Sequence, residues 1–201
     1  MNDLALSALV WADYRLAVLL TVSLPLVLLI WAFISRMESI QRLMEIYWKV
    51  SSLLAITVFL FIAALPFAFV TAWIARILIP ISLWFWRDLN EDIRDLAPYR
   101  PLKIALNSWR WAITVYSIAG SIFSLSFLRC AGIAKTLLLS EATRCRLWLE
   151  PPWGFREYFL SGQTPDFIGF MGLFALAIYT LYLVYFLVVR LGRQGRLATR
   201  F

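Results

Sequence analysis

Four long stretches without a charged residue constrain the fold of this chain more than any other feature. They cover residues 16–35, 50–75, 111–128 and 167–189. The hydrocarbon core of a bilayer is about 30 Å thick and needs about 20 apolar residues in a helix. Because an unpaired backbone group in lipid costs several kcal/mol, an open chain crosses the membrane as a helix. We therefore predict an all-α membrane protein, a single domain over residues 1–201 with four transmembrane helices at these positions.

The composition supports a membrane protein and excludes a soluble domain. Hydrophobic residues make up 62% of the chain and charged residues only 15%, whereas a soluble domain is about half apolar and a quarter charged. The formal net charge is +7. Lysines and arginines flank the apolar runs, as is typical of membrane proteins, and do not form the basic face that nucleic-acid binding requires. Nucleic acid is therefore not an expected partner.

Two connecting segments between these runs are expected at the membrane surface. Residues 36–49 carry an apolar stripe at helical spacing and predict an amphipathic surface helix or a solvated helix end. Residues 77–86 are too short to span alone, which favours an interfacial segment with Trp84 and Trp86 at headgroup depth. In the alternative interpretation the second helix continues past Arg76, and that arginine extends its charge to the surface.

The distribution of basic residues predicts that both termini are cytoplasmic. With four spans, eleven lysines and arginines fall on the side of the termini and eight on the other, which follows the positive-inside rule. The basic tail, residues 190–201, is expected to contact anionic lipid. Its arginines are Arg190, Arg193, Arg196 and Arg200. The loop 129–166 then lies outside, where Trp148 and Trp153 are expected among interfacial aromatics or in a protein contact.

Cys130 and Cys145 are the two cysteines of the chain, and both fall in this outer loop. An oxidising compartment permits a disulfide between them. The alternative is two free thiols, with Cys130 a small hydrophobic residue at the end of the third span.

Small residues recur in the third span at helical spacing. They are Ser117, Gly120, Ser121 and Ser124. Small side chains let helices approach closely, so the pattern predicts a helix-packing face; the alternative is a pore lining.

An acidic stripe is predicted between the second and third spans. Asp88, Glu91, Asp92 and Asp95 are spaced so that one helix face carries all four. A solvated face that docks a basic partner is the favoured interpretation. The alternative is Mg²⁺–diphosphate chemistry, which needs a second acidic motif on a facing helix, and no such motif is evident in the sequence.

The missing residue types limit the chemistry that the chain can perform. It has no histidine and no Walker or dinucleotide-binding loop, which removes the usual nucleophile–base pairs and haem ligation. We therefore expect a non-catalytic membrane protein that binds lipid or another integral membrane protein. The alternatives are a small-molecule transporter or channel, suggested by Pro25 and Pro66 within spans, and an enzyme acting on lipid or isoprenoid. Bound pigment or lipid stays open as a cofactor.

Several segments resemble an uncharacterised family of small cyanobacterial integral membrane proteins. They include LVWADYRLAVLLTVSLPLVLLIWAF, ARILIPISLWFWRDLNEDIRD, RLWLEPPWGFREYF and the closing YFLVVRLGRQGR. The resemblance covers nearly the whole chain and brings no activity or catalytic residue with it. It implies a thylakoid or plasma membrane of a photosynthetic bacterium, and an auxiliary or assembly role beside a photosynthetic or respiratory complex.

Overall fold

The computed structural model describes residues 3–140 and 144–191, and these are helical with short connections. The elements follow one another as α1 (Asp3–Val18), a π-helical turn (Leu19–Ser23), α2 (Leu24–Ile34), α3 (Glu38–Ile62), α4 (Ala68–Trp84), α5 (Arg87–Asp95), α6 (Pro101–Leu125), α7 (Lys135–Leu138), α8 (Glu150–Phe159) and α9 (Pro165–Tyr185), which continues as a π-helical turn (Phe186–Leu191). Two 3₁₀ segments, Leu128–Gly132 and Arg144–Trp148, flank α7.

Three helical stretches are long and apolar enough to cross a membrane, and the first of them combines α1, the π-helical turn and α2. They are Asp3–Ile34, Glu38–Ile62 and Pro165–Val189. Counting the bent pair of α4 and α5 as one span, with 55° between them, raises the number to four. The predicted all-helical membrane architecture is therefore confirmed at this level.

The predicted second span, 50–75, is divided, and this corrects the sequence-based prediction. Helix α3 ends at Ile62 and α4 begins at Ala68. The chain reverses between them, because Ala64 adopts a φ of 52° while the amides of Ala64 and Leu65 donate to the carbonyls of Phe61 and Leu60. This pair of bonds is the Schellman motif that ends many helices. Pro66 follows this motif, so the helix has already ended before the proline, where the sequence predicted only a kink.

The turn between α2 and α3 has the same geometry. Arg36 has a φ of 51°, and the amides of Arg36 and Met37 donate to Phe33 and Ala32. The segment that follows, predicted as a surface helix, is the first half of α3. Its apolar stripe is buried in the core with no exposed surface: Ile40, Leu43, Met44 and Tyr47. The predicted surface location of this stripe is therefore wrong.

The predicted interfacial segment 77–86 also differs in the structure. Residues up to Trp84 form the C-terminal half of α4 and pack between α3 and α6. Ile79 and Leu83 are fully buried. The segment is stable as a helix because nine helical residues, Ala68–Arg76, precede it after the turn at residues 63–67. The sequence had assigned eight of these nine residues to another span.

Pro25 lies inside the first long helix, which continues past it. A proline cannot donate to the carbonyl four residues earlier, and here that carbonyl belongs to Thr21. The hydroxyl of Tyr47 on α3 donates to it at 2.7 Å. In the same π-helical turn, Trp109 Nε1 on α6 donates to the carbonyl of Leu20 at 2.8 Å. The irregular turn is thereby fastened to two other helices.

Successive long helices run in opposite directions between two ends of the bundle. The disulfide end contains the start of α1, the turn after α3, and residues 126–140 and 144–164. Trp153 Nε1 donates to the Ile62 carbonyl there at 3.2 Å. The α5 end contains the turn after α2, α5, and the end of α9, where the rings of Trp86 and Phe186 lie 6.0 Å apart. The first and last described residues therefore lie at opposite ends.

Candidate functional site

A buried ion pair joins α1, α4 and α6. Arg76 in the middle of α4 donates from Nη2 to the carboxylate of Asp13 on α1. Arg76 also donates from Nη1 to the Gly120 carbonyl on α6 at 2.9 Å. The side chains of Arg76 and Asp13 are only 9% and 14% exposed. Charged groups inside a helical membrane bundle are costly and mark functional candidates.

Tyr116 completes this network from α6. Its hydroxyl lies 3.0 Å from Asp13 Oδ1 and 3.1 Å from the Asp13 carbonyl. The Arg76 guanidinium lies 5.9 Å from the Tyr116 ring centre and 5.8 Å from that of Trp148, within the range of cation–π attraction. The carboxylate therefore has two donors, and the guanidinium is held between aromatic rings.

The predicted packing face on α6 lies beside this arginine. Ser117 and Gly120 are buried, while Ser121 and Ser124 are half-buried. A Cβ at Gly120 would lie 2.7 Å from Arg76 Nη1. Gly120 therefore makes room for a guanidinium, where the sequence suggested only close approach of two helix backbones.

A cavity of about 500 Å³ opens beside the ion pair, between α1 and α3. Asp13 and Arg76 form its polar wall, and Pro151, Pro152 and Phe155 of α8 close it at the disulfide end. The rest of its lining is mainly apolar and includes Val18, Val22, Leu54, Ala55, Val58 and Phe59. This size is within the usual range for a small-ligand site, about 300–1,000 Å³.

The predicted disulfide between Cys130 and Cys145 is present, with Cα atoms 5.9 Å apart. It links the two 3₁₀ segments, and both cysteines are buried in a core with Leu6 and Val10 of α1. Trp148, three residues after Cys145, is thereby held against the rings of Phe127 and Phe123, at 5.4 and 5.9 Å. The disulfide loop thus positions the aromatic ring that covers Arg76.

The predicted interfacial tryptophans have different environments. Trp86 and Trp148 are only 5% and 8% exposed and belong to the protein core, so the interfacial prediction is wrong for these two. Trp153 is partly buried. Trp84 is 36% exposed and donates to Thr114 Oγ1 at 3.0 Å. The Arg110 guanidinium lies 4.0 Å from the Trp84 ring centre, and packing against neighbouring helices explains these positions.

Arg110 is a second buried arginine, 3% exposed, at the α5 end of α6. It donates to the Leu83 carbonyl at 2.7 Å and to the amide oxygen of Asn90 on α5. The side chain therefore fastens the end of α4 to α5 and α6.

The acidic stripe lies on α5, whose other face buries Leu89 and Ile93. Arg87 Nε donates to Glu91 Oε1 at 2.9 Å, and this bond raises the pKa of the Arg87 guanidinium. Ser39 Oγ lies 3.3 Å from Asp92 Oδ2. The carboxylates of Glu91 and Asp92 thus already have hydrogen-bond partners within this protein. Within residues 3–140 and 144–191, no three acidic or cysteine side chains are grouped so as to hold a metal ion.

The predicted lipid-contact tail is the remaining sequence-based site. Arg190 belongs to the last helical turn, and Arg193, Arg196 and Arg200 lie outside the described residues. Sequence reasoning missed Asp13, Tyr116 and the burial of Arg76 and Arg110. The interpretation of Arg76 as a surface-reaching side chain is wrong, since Asp13 and Gly120 hold it inside.

Comparison with known proteins identifies a family and gives no further match. No curated protein and no solved structure matches the chain. A family model described as "Protein of unknown function (DUF3177)" matches residues 7–199. Because this match covers nearly the whole chain, the protein belongs to the DUF3177 family of proteins of unknown function.

Proposed function

We propose that this protein is a non-catalytic integral membrane protein that acts as an auxiliary or assembly component of a larger membrane complex. The observation that carries the proposal is the placement of α9. Its apolar stretch is only 6% buried, and it packs on the bundle mainly through α3. Gly169 and Gly172 allow this contact, since a Cβ at Gly169 would lie 2.5 Å from the Ala63 Cβ. The remaining α9 surface is free to face lipid or another membrane helix.

The internal charges support a binding role. Asp13, Arg76 and Arg110 join helices to one another, so their polar atoms serve the fold. The sequence resemblance favours a cyanobacterial thylakoid or plasma membrane, with a photosynthetic or respiratory complex as the partner.

We further propose five membrane crossings, formed by α1 with α2, α3, α4, α6 and α9. The sequence predicted four, but the stretch 50–75 is divided between α3 and α4. Helix α4 has 17 residues and is therefore about 25 Å long at 1.5 Å per residue, close to the thickness of the hydrocarbon core. It packs along both α3 and α6, which favours a crossing in place of a short surface excursion.

The two ends of the bundle differ in charge, which suggests its orientation. Besides the buried Arg110, seven basic residues lie at the α5 end: Arg36, Arg42, Lys49, Arg87, Arg94, Arg100 and Lys103. Arg190 lies in the helical turn that continues α9 at this end, and three more arginines follow it in the sequence. Five lie at the disulfide end: Arg129, Lys135, Arg144, Arg146 and Arg156. The positive-inside rule then places the α5 end in the cytoplasm and the disulfide in the compartment that favours disulfides. Under this proposal only the C-terminus is cytoplasmic, instead of both termini.

Cysteine labelling tests this topology directly. In intact spheroplasts, a membrane-impermeant maleimide is expected to label Ala5→Cys, whereas Ser35→Cys reacts only after lysis. Both positions are exposed, and the native cysteines are protected in their disulfide. The four-span topology predicts the reverse for both variants. Ser161→Cys, which is outside in both topologies, is the positive control.

Site-specific photocrosslinking tests the partner role. We expect a photoreactive residue at Phe174 on α9 to give a discrete protein adduct in native membranes, identified by mass spectrometry. Ile122 on α6 is the matched control; the two positions are 57% and 65% exposed. Adducts with lipid alone at Phe174, together with purification of the protein without a stoichiometric partner, would contradict the proposal.

Small-molecule transport is the second candidate function. The cavity between α1 and α3 includes Thr21 and Val22 of the π-helical turn, and such turns often occur at functional sites. Solute uptake by proteoliposomes that contain the purified protein would favour transport over a partner role.

A further inference from the structure

The cavity between α1 and α3 offers hydrogen-bond donors that the fold does not use. Trp48 and Trp148 both line it. The indole N–H groups of these two residues are buried and have no acceptor among the described residues. A buried donor without an acceptor is unfavourable, because it has lost its hydrogen bond to water. Trp148 is only 8% exposed as a whole, and because it lines the cavity, a ligand bound there can approach its N–H.

The charge on the cavity wall selects against an ionic ligand. Asp13 and Arg76 are paired with each other, so together they contribute no net charge. An added ion would be desolvated beside a pair that is already satisfied. A neutral head group with carbonyl oxygens would accept from the indoles without disturbing this pair.

The depth of the site and its aromatic lining define the shape of that head group. Arg76 is at the midpoint of α4, about 12 Å from either end at 1.5 Å per residue. The polar head of a glycerolipid stays at the membrane surface, whereas a neutral ring can enter this deep. Tyr14, Phe59 and Phe155 add aromatic surface to the lining, and flat rings pack well on such side chains.

The mouth of the cavity accommodates an apolar chain. Val18 and Val22 on one side, and Ser52 and Ala55 on the other, are exposed at its edges. These residues belong to the apolar part of their helices. In the proposed membrane placement the mouth therefore opens toward the hydrocarbon, where an apolar tail can leave the bundle.

We propose that this cavity binds a neutral, carbonyl-bearing ring carried on an apolar chain, a molecule of the quinone type. Trp148 donates a hydrogen bond to a ring carbonyl, and Trp48 offers a second donor. The ion pair forms the polar wall, and the chain extends between α1 and α3. The proposal concerns binding alone and rests on the membrane placement proposed above. Cysteine labelling tests that placement independently, so failure of one proposal is distinguishable from failure of the other.

Equilibrium binding of decylubiquinone to the purified protein in nanodiscs tests the site. We expect saturable binding, about five- to tenfold weaker in Trp148→Phe, which keeps an aromatic ring and removes one hydrogen-bond donor. Trp111→Phe is the matched control, because Trp111 is 61% exposed and does not line the cavity. Ala55→Trp, at the mouth, is expected to abolish binding by filling the entrance.

Four results would overturn the proposal. The first is absence of saturable binding by the unaltered protein. The second is equal affinity of Trp148→Phe and Trp111→Phe, since the indole donor would then have no role. The third is equally tight binding of decylbenzene, which has no carbonyl group. The fourth is displacement of the quinone by dioleoylglycerol at equal concentration, which would assign the cavity to an ordinary neutral lipid.

Discussion

Replacing Arg76 by methionine is expected to destabilise the folded protein by about 3–5 kcal/mol. Methionine keeps much of the side-chain volume but leaves the Asp13 carboxylate inside the bundle without its cation. Tyr116 remains as a donor at 3.0 Å, which does not neutralise the charge. The substitution also removes the hydrogen bond to the Gly120 carbonyl and the contact with the Trp148 ring. Titration of the protein in micelles with a denaturing detergent, followed by tryptophan fluorescence, measures the loss.

A double-mutant cycle assigns this loss to the ion pair. Asp13→Asn keeps an acceptor for Tyr116 and removes the charge. The double variant Asp13→Asn with Arg76→Met is therefore expected to be more stable than Arg76→Met alone, because no buried charge is left unpaired. Additive effects of the two substitutions would contradict a coupled pair.

Arg42→Met is the matched control for this cycle. Arg42 pairs with Glu38 at 3.8 Å, and both side chains are exposed. Such surface pairs contribute about 0.5 kcal/mol or less. A loss of stability in Arg42→Met comparable to that in Arg76→Met would show that removal of any arginine has this effect. The loss in Arg76→Met could then not be attributed to the buried ion pair.

The helices themselves could largely be predicted from the apolar runs, because a bilayer demands such runs and an uncharged stretch is visible in sequence. The division of residues 50–75 between α3 and α4 could not be predicted in this way. The reversal depends on Ala64 in the left-handed conformation, as the preceding turn between α2 and α3 depends on Arg36, and glycine is the usual signal for such positions. Pro66 was the remaining clue, since prolines often follow a helix end as well as kink a helix.

The buried network was missed for a different reason. Asp13 and Arg76 are 63 positions apart, and no local pattern connects them. Each lies beside an apolar run and resembles an ordinary flanking charge. The stripe of small residues on α6 did point to the right face, but only the structure shows that Gly120 accommodates a guanidinium. The pairing of Cys130 with Cys145 was accessible from sequence because no other cysteine competes.

The disulfide is the second feature whose loss is expected to have a large effect. Cys130 and Cys145 are separated by 15 positions, and constraint of a loop of this length is worth about 3 kcal/mol through the entropy of the unfolded chain. We expect Cys130→Ser with Cys145→Ser to lose about this free energy of unfolding. Hydrogen exchange should increase most in the two 3₁₀ segments and at the start of α1, which pack together around Leu6 and Val10.

Reduction of the unaltered protein distinguishes the effect of losing the disulfide bond from the effect of introducing two serines. Reduced cysteines fill the same space as the disulfide without introducing buried serine hydroxyls. Treatment with a thiol reductant is therefore expected to cost the unaltered protein about 3 kcal/mol and to leave the double serine variant unchanged. Because the loop holds Trp148 against Phe127 at 5.4 Å, the near-ultraviolet circular dichroism of the aromatic groups should change in the same experiment. Equal stability of the oxidised and reduced protein would show that the core around Leu6 and Trp148 holds this loop without the covalent link.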